Sequence, residues 1–184
     1  FMKDDAIQLE MNFEGESGNR FKNRLDNGSF QILVELNCPS SETKTADAVS
    51  RYAEIEYLVS AQKKFPAGLS FNDRYKYQET VNTVNFAAGL CKTGRDCHVF
   101  CLSGRDRTPD QLMDAVSGAM AEGFKNFISV SGETVHGENA KQTSARLFTE
   151  SVHTIKNVSE KYSEKTMIGC VTNPSKYTPC DSFT

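Results

Sequence analysis

The sequence predicts an α/β fold in which strands and helices alternate along the chain. Five short apolar runs begin near residues 30, 57, 97, 126 and 166, and the segments between them carry apolar residues at helical spacing. Each unit is about 35 residues long, as in a barrel of eight strand–helix units. We therefore predict a partial (β/α)8 barrel of about five units over residues 20–184, after an N-terminal tail, residues 1–19. An open doubly wound sheet is the alternative.

Composition excludes several classes of protein. A net charge of −3 over 184 residues does not favour binding to nucleic acid or to an anionic membrane surface. No apolar run approaches the roughly 20 residues of a membrane span, and the acidic start of the chain does not resemble a secretory signal. Three of the six cysteines, Cys97, Cys101 and Cys170, fall in predicted buried strands. A reducing intracellular compartment therefore explains them better than a disulfide framework.

The first half of the chain is predicted from apolar runs and turn residues. Arg20–Leu25 forms one or two helical turns, and Phe30–Leu36 is nearly all apolar, as in a strand covered on both faces. A helix begins at Thr43 or Thr45. The sequence then predicts a second strand at Tyr57–Ser60 and a long polar connection over residues 61–74.

Three strands and three helices are predicted in the rest of the chain. Strands are predicted at Cys97–Leu102, Asn126–Val130 and Met167–Thr172, and helices at Tyr75–Cys91 and Ser144–Tyr162.

One further helix lies between the third and fourth strands. Thr108 is a predicted N-cap with Pro109 at the first helical position, and Gln111 completes a capping box. Gly123 is placed to end this helix. The resulting strand–helix–strand unit requires parallel strands.

Charged residues on different strands are the first candidates for a site. Glu35, His98 and Glu133 lie on or beside three predicted strands, and in a parallel sheet they are expected to converge in one pocket. A carboxylate buried there would have a raised pKa and would donate a proton near neutrality. The alternatives are an outward-facing Glu35, a His98 satisfied in the core and a Glu133 that caps a helix or is solvated.

Two arginines follow the third strand at the same expected rim. Arg105 and Arg107 would lie near Cys101, Gly132 and Glu133, and we expect them to be surface charges of a loop more than phosphate ligands. The spacing of Cys97, His98 and Cys101 does not predict a metal, because strand alternation separates them. The sequence contains no phosphate-binding glycine loop of the P-loop or dinucleotide type.

Four motifs in order resemble one family. They are VEL-x-x-P on the first strand, H-x-x-C-L followed by GRDR, NFISVSGE on the fourth strand, and IGCVTNP on the fifth. In this order, over residues 20–179, the chain resembles the methylenetetrahydrofolate reductases, which are flavin-dependent (β/α)8 barrels. The resemblance implies bound FAD, and hydride transfer from a reduced nicotinamide or a protein electron donor to a folate substrate, 5,10-methylenetetrahydrofolate.

The resemblance also implies roles for particular residues. Glu35 matches the general acid that opens the folate ring, and Glu133 matches an acidic residue, usually Asp, that contacts the pterin. The residues that match cofactor contacts are His98, Val130, Ser131, Gly132, Asn173 and Pro174.

The chain also departs from the family pattern. Ser131 stands where many members have a basic residue, LNCP replaces FFPP after Glu35, and strands six to eight are not in the sequence. The alternative function is therefore a catalytically inactive, barrel-derived structural subunit of a larger complex. In either case we expect an oligomer or a subunit of a larger assembly. A weaker third possibility is a corrinoid- or pterin-binding barrel without redox chemistry.

Overall fold

The computed structural model describes residues 18–62, 64–74, 79–132 and 135–171, which contain one parallel sheet and the helices that cover it. Among the described residues, α1 precedes the sheet, and the other five helices lie in the connections between strands, two of them between β4 and β5. The strands are β1 (Ile32–Asn37), β2 (Ala67–Asn72), β3 (Val99–Ser103), β4 (Asn126–Val130) and β5 (Met167–Cys170). The helices are α1 (Arg20–Asp26), α2 (Thr45–Ala61), α3 (Thr83–Leu90), α4 (Pro109–Ala121), α5 (Ala140–Ser144) and α6 (Ser151–Tyr162), with a 3-10 turn at Arg95–Cys97.

The strands pair in the order in which they occur along the chain. All four pairings are parallel, and the order β1-β2-β3-β4-β5 contains no reversal. The main hydrophobic cluster lies on one face of this sheet, which we call the helix face. Its strand members include Leu36, Leu69, Phe71, Phe100 and Phe127. The main cluster and the helices that contribute to it, α2, α3, α4 and α6, therefore lie on one side of the sheet, and the α/β fold class is confirmed.

The second strand was predicted in the wrong place. Tyr57–Ser60 is the last part of α2, and β2 lies at Ala67–Asn72, inside the predicted polar connection. The apolar run at Tyr57 to Val59 carries the pattern of a strand, but it continues the helix that begins at Thr45. The sequence of β2 contains glycine, serine and asparagine, and tertiary pairing with β1 and β3 overrides its weak strand propensity.

Two helices have different bounds in the structure from those predicted. The helix expected over Tyr75–Cys91 begins at Thr83, because Asn82 caps it by accepting a hydrogen bond from the Asn85 amide. The helix expected over Ser144–Tyr162 is divided into α5 and α6. Residues 147–149 between them pair instead with the loop after β3.

The unit that was best marked in the sequence is confirmed. Thr108 and Gln111 form the predicted capping box, Pro109 begins α4, and β4 has the predicted bounds. Gly123 follows the helix with a φ of 88°, which is the left-handed conformation that glycine adopts readily.

The helix α1 is fixed to the amino-terminal end of the sheet. Asn19 is fully buried, and its side chain donates a hydrogen bond of 2.8 Å to Oδ1 of Asn126 at the start of β4. Arg20 donates from Nε and Nη2 to the carboxylate of Asp96, at 2.9 and 2.6 Å. Asn19, which the sequence placed in the tail, therefore belongs to the folded part, whereas residues 1–17 lie outside the described residues.

No helix in the described part of the chain has both the length and the apolar character needed to cross a membrane. Cys38, Cys91, Cys97, Cys101 and Cys170 are all free thiols. Of the three predicted to be buried, Cys97 is buried, Cys101 is half-buried and Cys170 is exposed.

Candidate functional site

The face of the sheet opposite the helices, which we call the open face, carries polar side chains at the carboxyl ends of the strands. Strand register places Glu35, Ser70 and Val99 side by side in one row on this face. The next row toward the carboxyl ends contains Asn37, Asn72 and Cys101. Glu35 is exposed to solvent. The open face therefore presents a carboxylate one row below a rim of two carboxamides.

Ser70 and Cys101 connect the two rows. Ser70 is buried, and its Oγ lies 3.4 Å from Sγ of the half-buried Cys101. Burial raises the pKa of the Cys101 thiol, the hydrogen bond to Ser70 opposes that shift, and the negative charges of Glu35 and Asp73 add to it. Cys101 is therefore a neutral thiol at neutral pH, which suits it to packing against a ligand more than to nucleophilic attack.

His98 does not share a pocket with Glu35, as the sequence led us to expect. It precedes β3, at the amino-terminal end of the strand, and only 3% of it is exposed. Its ring packs near Phe71 and Phe124, at centroid distances of 6.2 and 6.4 Å, on the helix face.

The Nδ1 atom of His98 accepts a hydrogen bond of 2.9 Å from the amide of Leu69. Because Nδ1 is the acceptor, the neutral ring carries its proton on Nε2. Burial lowers the pKa of His98 to about 4. The position therefore corresponds to the core histidine that the sequence left open as an alternative.

Three of the expected cofactor residues lie together where β4 ends. Val130 is the last residue of β4 and pairs with Ser103. Ser131 donates a hydrogen bond of 3.3 Å to the carboxylate of Glu150. Gly132 has a φ of 101°, and a Cβ there would lie 2.5 Å from Oγ of Ser103. The predicted sites at Glu133, Asn173 and Pro174 lie outside the described residues.

Arg105 is not a surface charge, which corrects the expectation from the sequence. It is fully buried, and its guanidinium donates to the backbone carbonyl of Arg74 in the loop after β2. Arg74 returns a bond of 3.5 Å to the carbonyl of Arg105. Arg74 also has a φ of 54°, a left-handed conformation that costs a non-glycine residue free energy. The two arginines therefore fasten the loops after β2 and β3 to each other.

Arg107 belongs to a second buried network that the sequence did not reveal. Its guanidinium forms an ion pair with Asp73, which is only 7% exposed. Thr83 donates to the other oxygen of Asp73 at 2.9 Å and also contacts Sγ of Cys38 at 3.4 Å. The sequence analysis predicted a surface charge at Arg107, because nothing local identifies Asp73 as its buried partner.

A cleft of 740 Å³ opens between α3 and α4, on the helix face. Its lining includes Phe100 and Leu102 of β3, Asp114 of α4 and Glu122 at the carboxyl end of α4. The carboxylates that line it outnumber its arginines, Arg74 and Arg107, and Arg107 is already paired with Asp73. The cleft is separate from Glu35 and does not favour an anionic ligand.

The open face offers hydrogen-bonding groups but no basic side chain among its described strand residues. Carboxylate, carboxamide and hydroxyl groups on the open face can hydrogen-bond to a heterocycle. Among the described residues there is no group of three or more His, Cys, Asp or Glu side chains that could hold a metal.

No family model matches this chain, and no curated protein resembles it at a significant level.

Proposed function

We propose that the chain is a methylenetetrahydrofolate reductase-like flavoprotein, built as part of a (β/α)8 barrel. Consecutive parallel strands with their helices on one face are the arrangement of an arc of such a barrel, since a doubly wound sheet has helices on both faces and a reversal in strand order. The observation that carries the proposal is Glu35, a carboxylate exposed on the open face near the carboxyl ends of the strands.

In this proposal the substrate is 5,10-methylenetetrahydrofolate and the donor is a reduced nicotinamide or an electron-transfer protein. FAD, if bound and reduced by that donor, would supply the hydride. Glu35 donates a proton to the folate nitrogen whose bond to the methylene carbon breaks, which leaves an iminium at the other nitrogen. Hydride addition to that carbon then gives the methyl group of 5-methyltetrahydrofolate. Val130, Ser131 and Gly132 would lie along the flavin ring.

The test separates flavin reduction from folate reduction. We expect purified protein to take up FAD and show flavin absorbance. Glu35→Gln keeps the shape of the side chain but removes the proton, so folate reduction should fall at least about 100-fold. Reduction of the flavin by its donor should not change, because that step needs no proton from Glu35. Glu54→Gln, an exposed carboxylate on α2, is the matched control.

Two results would overturn this proposal. A protein that binds no FAD is not a flavoprotein. A Glu35→Gln variant that loses flavin reduction and folate reduction equally would show that Glu35 is not the proton donor.

The second candidate is a structural subunit without catalysis, and exposed aromatic residues beside β1 favour it. Phe30 is 71% exposed and Phe65 41% exposed, and their rings meet edge to face at 6.4 Å. Tyr57 and Leu58 on α2 are also exposed. Such residues are common where another chain binds. A colourless protein that elutes as part of a larger assembly would support this candidate over the first.

A further inference from the structure

The strand β1 forms one edge of the sheet and carries unpaired backbone groups along its outer side. Among the described strands, β1 pairs only with β2. The amide of Ile32 donates a hydrogen bond of 3.0 Å to the carbonyl of Pro66, on the side of β2. Successive residues of a strand direct their N–H and C=O groups to opposite sides, so the odd-numbered residues of β1 direct theirs to the free edge. These residues are Leu33, Glu35 and Asn37.

This edge lacks the features that usually prevent a strand from pairing with another chain. Proteins protect a free edge with proline, lysine, a bulge or a very short strand. The strand β1 has six residues, and Glu35 is its only charged residue. The other edge strand, β5, has only four residues. Of the two edges, β1 is therefore the one better suited to accept a partner strand.

Exposed apolar residues lie beside this edge. Phe30, just before β1, is 71% exposed, and its ring meets that of Phe65, just before β2. Tyr57 and Leu58 on α2 are 69% and 61% exposed. Within β1 itself, residues 32–34 are all apolar and only half-buried. Apolar residues grouped in this way mark surfaces that another protein covers.

We propose that β1 pairs with β1 of a second copy of this chain, antiparallel and about a two-fold axis. A strand edge is complementary to itself in this arrangement, because each copy offers the same row of donors and acceptors to the other. Dimers with a two-fold axis are also the commonest oligomers of soluble proteins. The sheet then continues from one copy into the next. This inference does not depend on FAD or folate and goes beyond the proposed function.

Charge and backbone geometry together select one register. The outward groups belong to odd-numbered residues in both copies, so the two registers that overlap the strands most fully have Val34 or Glu35 on the axis. With Glu35 on the axis, two carboxylates would lie directly opposite each other, which is destabilising. With Val34 on the axis, Glu35 lies opposite Leu33 of the other copy. Ile32 then lies opposite Leu36, and apolar side chains meet across the junction.

A cysteine on the axis tests this register. The two Val34 residues form a pair without hydrogen bonds between them, and the Cα atoms of such a pair are about 4.5 Å apart, within the range of a disulfide. Val34→Cys should therefore link two chains under mild oxidation, as seen on a non-reducing gel, and a reductant should reverse the link. Glu35→Cys should not link, because it lies opposite Leu33. The unaltered protein and Val152→Cys, at a position 66% exposed on α6, measure links through other cysteines and random collision.

A charge exchange on the axis tests the dimer in solution. Light scattering should give the unaltered protein twice the 20.5 kDa mass of one chain. Val34→Lys and Val34→Glu each place two like charges on the axis, and each should raise the dissociation constant of the dimer at least about 100-fold. An equimolar mixture of the two variants should recover the dimer, because opposite charges then meet. The same two substitutions at Val152 should leave the dimer unchanged.

Three results would overturn the proposal. They are a protein that stays monomeric at about 100 μM, a dimer that persists in both charged variants at Val34, and a disulfide that forms through Glu35→Cys but not through Val34→Cys. A monomer that takes up FAD overturns the dimer and leaves the proposed function standing. A dimer that passes the cysteine and charge tests but takes up no FAD supports this inference and overturns the flavoprotein proposal.

Discussion

His98 makes the folded protein sensitive to acid. Burial lowers its pKa to about 4, whereas the ordinary value is 6.5. Between these values the unfolded chain takes up a proton that the folded protein does not, so a fall in pH favours unfolding. The contribution of His98 to stability is therefore complete above pH 6.5 and is lost as the pH falls toward 4. Above pH 6.5 this contribution to the free energy of unfolding is about 3 kcal/mol.

The measurement is the free energy of unfolding in urea at pH 7 and at pH 4.5. His98→Asn supplies an oxygen that can accept the Leu69 amide hydrogen and does not titrate, so it should be less stable at pH 7 but lose less stability on acidification than the unaltered protein. If both proteins lose the same free energy between these pH values, His98 does not titrate as its burial requires.

The Asp73–Arg107 pair should contribute far more to stability than an exposed ion pair. Asp73 is 7% exposed and also accepts a hydrogen bond from Thr83. Asp73→Asn leaves the Arg107 guanidinium without its counter-ion, at an expected cost of about 3 kcal/mol.

Urea unfolding of the variants checks this value. Lys22 and Asp26 form an ion pair on the surface of α1, and Asp26→Asn should change the stability by less than about 0.5 kcal/mol. A similar small effect for Asp73→Asn would show that water replaces the lost partner.

At the scale of the element, β2 depends on a glycine that no other residue can replace. A Cβ at Gly68 would lie 2.0 Å from the backbone carbonyl oxygen of Cys97. Gly68→Ala therefore requires the two backbones to separate, and we expect a loss of more than about 3 kcal/mol. Gly169 in β5 is the matched control, because nothing lies within 4 Å of its Cβ position. Thermal unfolding should show Gly169→Ala near the unaltered protein. Equal melting temperatures for both variants would contradict the close approach.

The same glycine explains why β2 was missed from the sequence. A strand that packs tightly against a neighbouring backbone uses small residues, and small residues do not produce an apolar run. Where structure depends on local contacts, prediction succeeded: the capping box at Thr108 and the strand Asn126–Val130 were both confirmed. The bounds of a strand such as β2 depend instead on pairing with distant strands, which the local sequence does not show.

The candidate site was predictable only in part, for a related reason. Glu35 was correctly placed on a strand. The continuous apolar run around it shows no alternation, so the sequence could not show which face of the sheet Glu35 occupies. His98 was assigned to β3, whereas a 3-10 turn precedes the strand and the ring packs into the helix face. Asn37 and Asn72 carried no motif at all, because their pairing is a matter of register between distant segments.

At the scale of the whole molecule, polar contacts between loops fix the carboxyl ends of the strands. Arg105 joins the loop after β3 to the loop after β2, and its backbone pairs with Phe148 in the segment before α6. A Cβ at Gly104 would lie 2.0 Å from the carbonyl of Thr149, so this approach also requires glycine. The loops that follow β2, β3 and β4 are thereby joined to one another at the carboxyl ends of the strands.

Stability should decrease from the centre of the sheet toward β5. The strand β3 is paired on both sides, and Phe100 and Leu102 are buried beneath the helices. The strand β5 has four residues, none of them buried, and pairs only with β4 among the described strands. Local opening requires less free energy where fewer apolar contacts are lost. Amide hydrogens of β5 should therefore exchange with solvent at least about tenfold faster than those of β3, which is an opening free energy lower by about 1.4 kcal/mol.

Hydrogen exchange followed by mass spectrometry can resolve this difference with peptides that cover each strand. Val99–Ser103 should exchange only through global unfolding, and its rate should therefore follow the denaturant dependence of the whole protein. Met167–Cys170 should exchange by local opening that depends little on denaturant. Slow exchange of β5 that matches β3 would mean that another segment or a second chain pairs with its outer edge. Comparing dilute with concentrated protein then separates these two explanations, because only protection by a second chain depends on concentration.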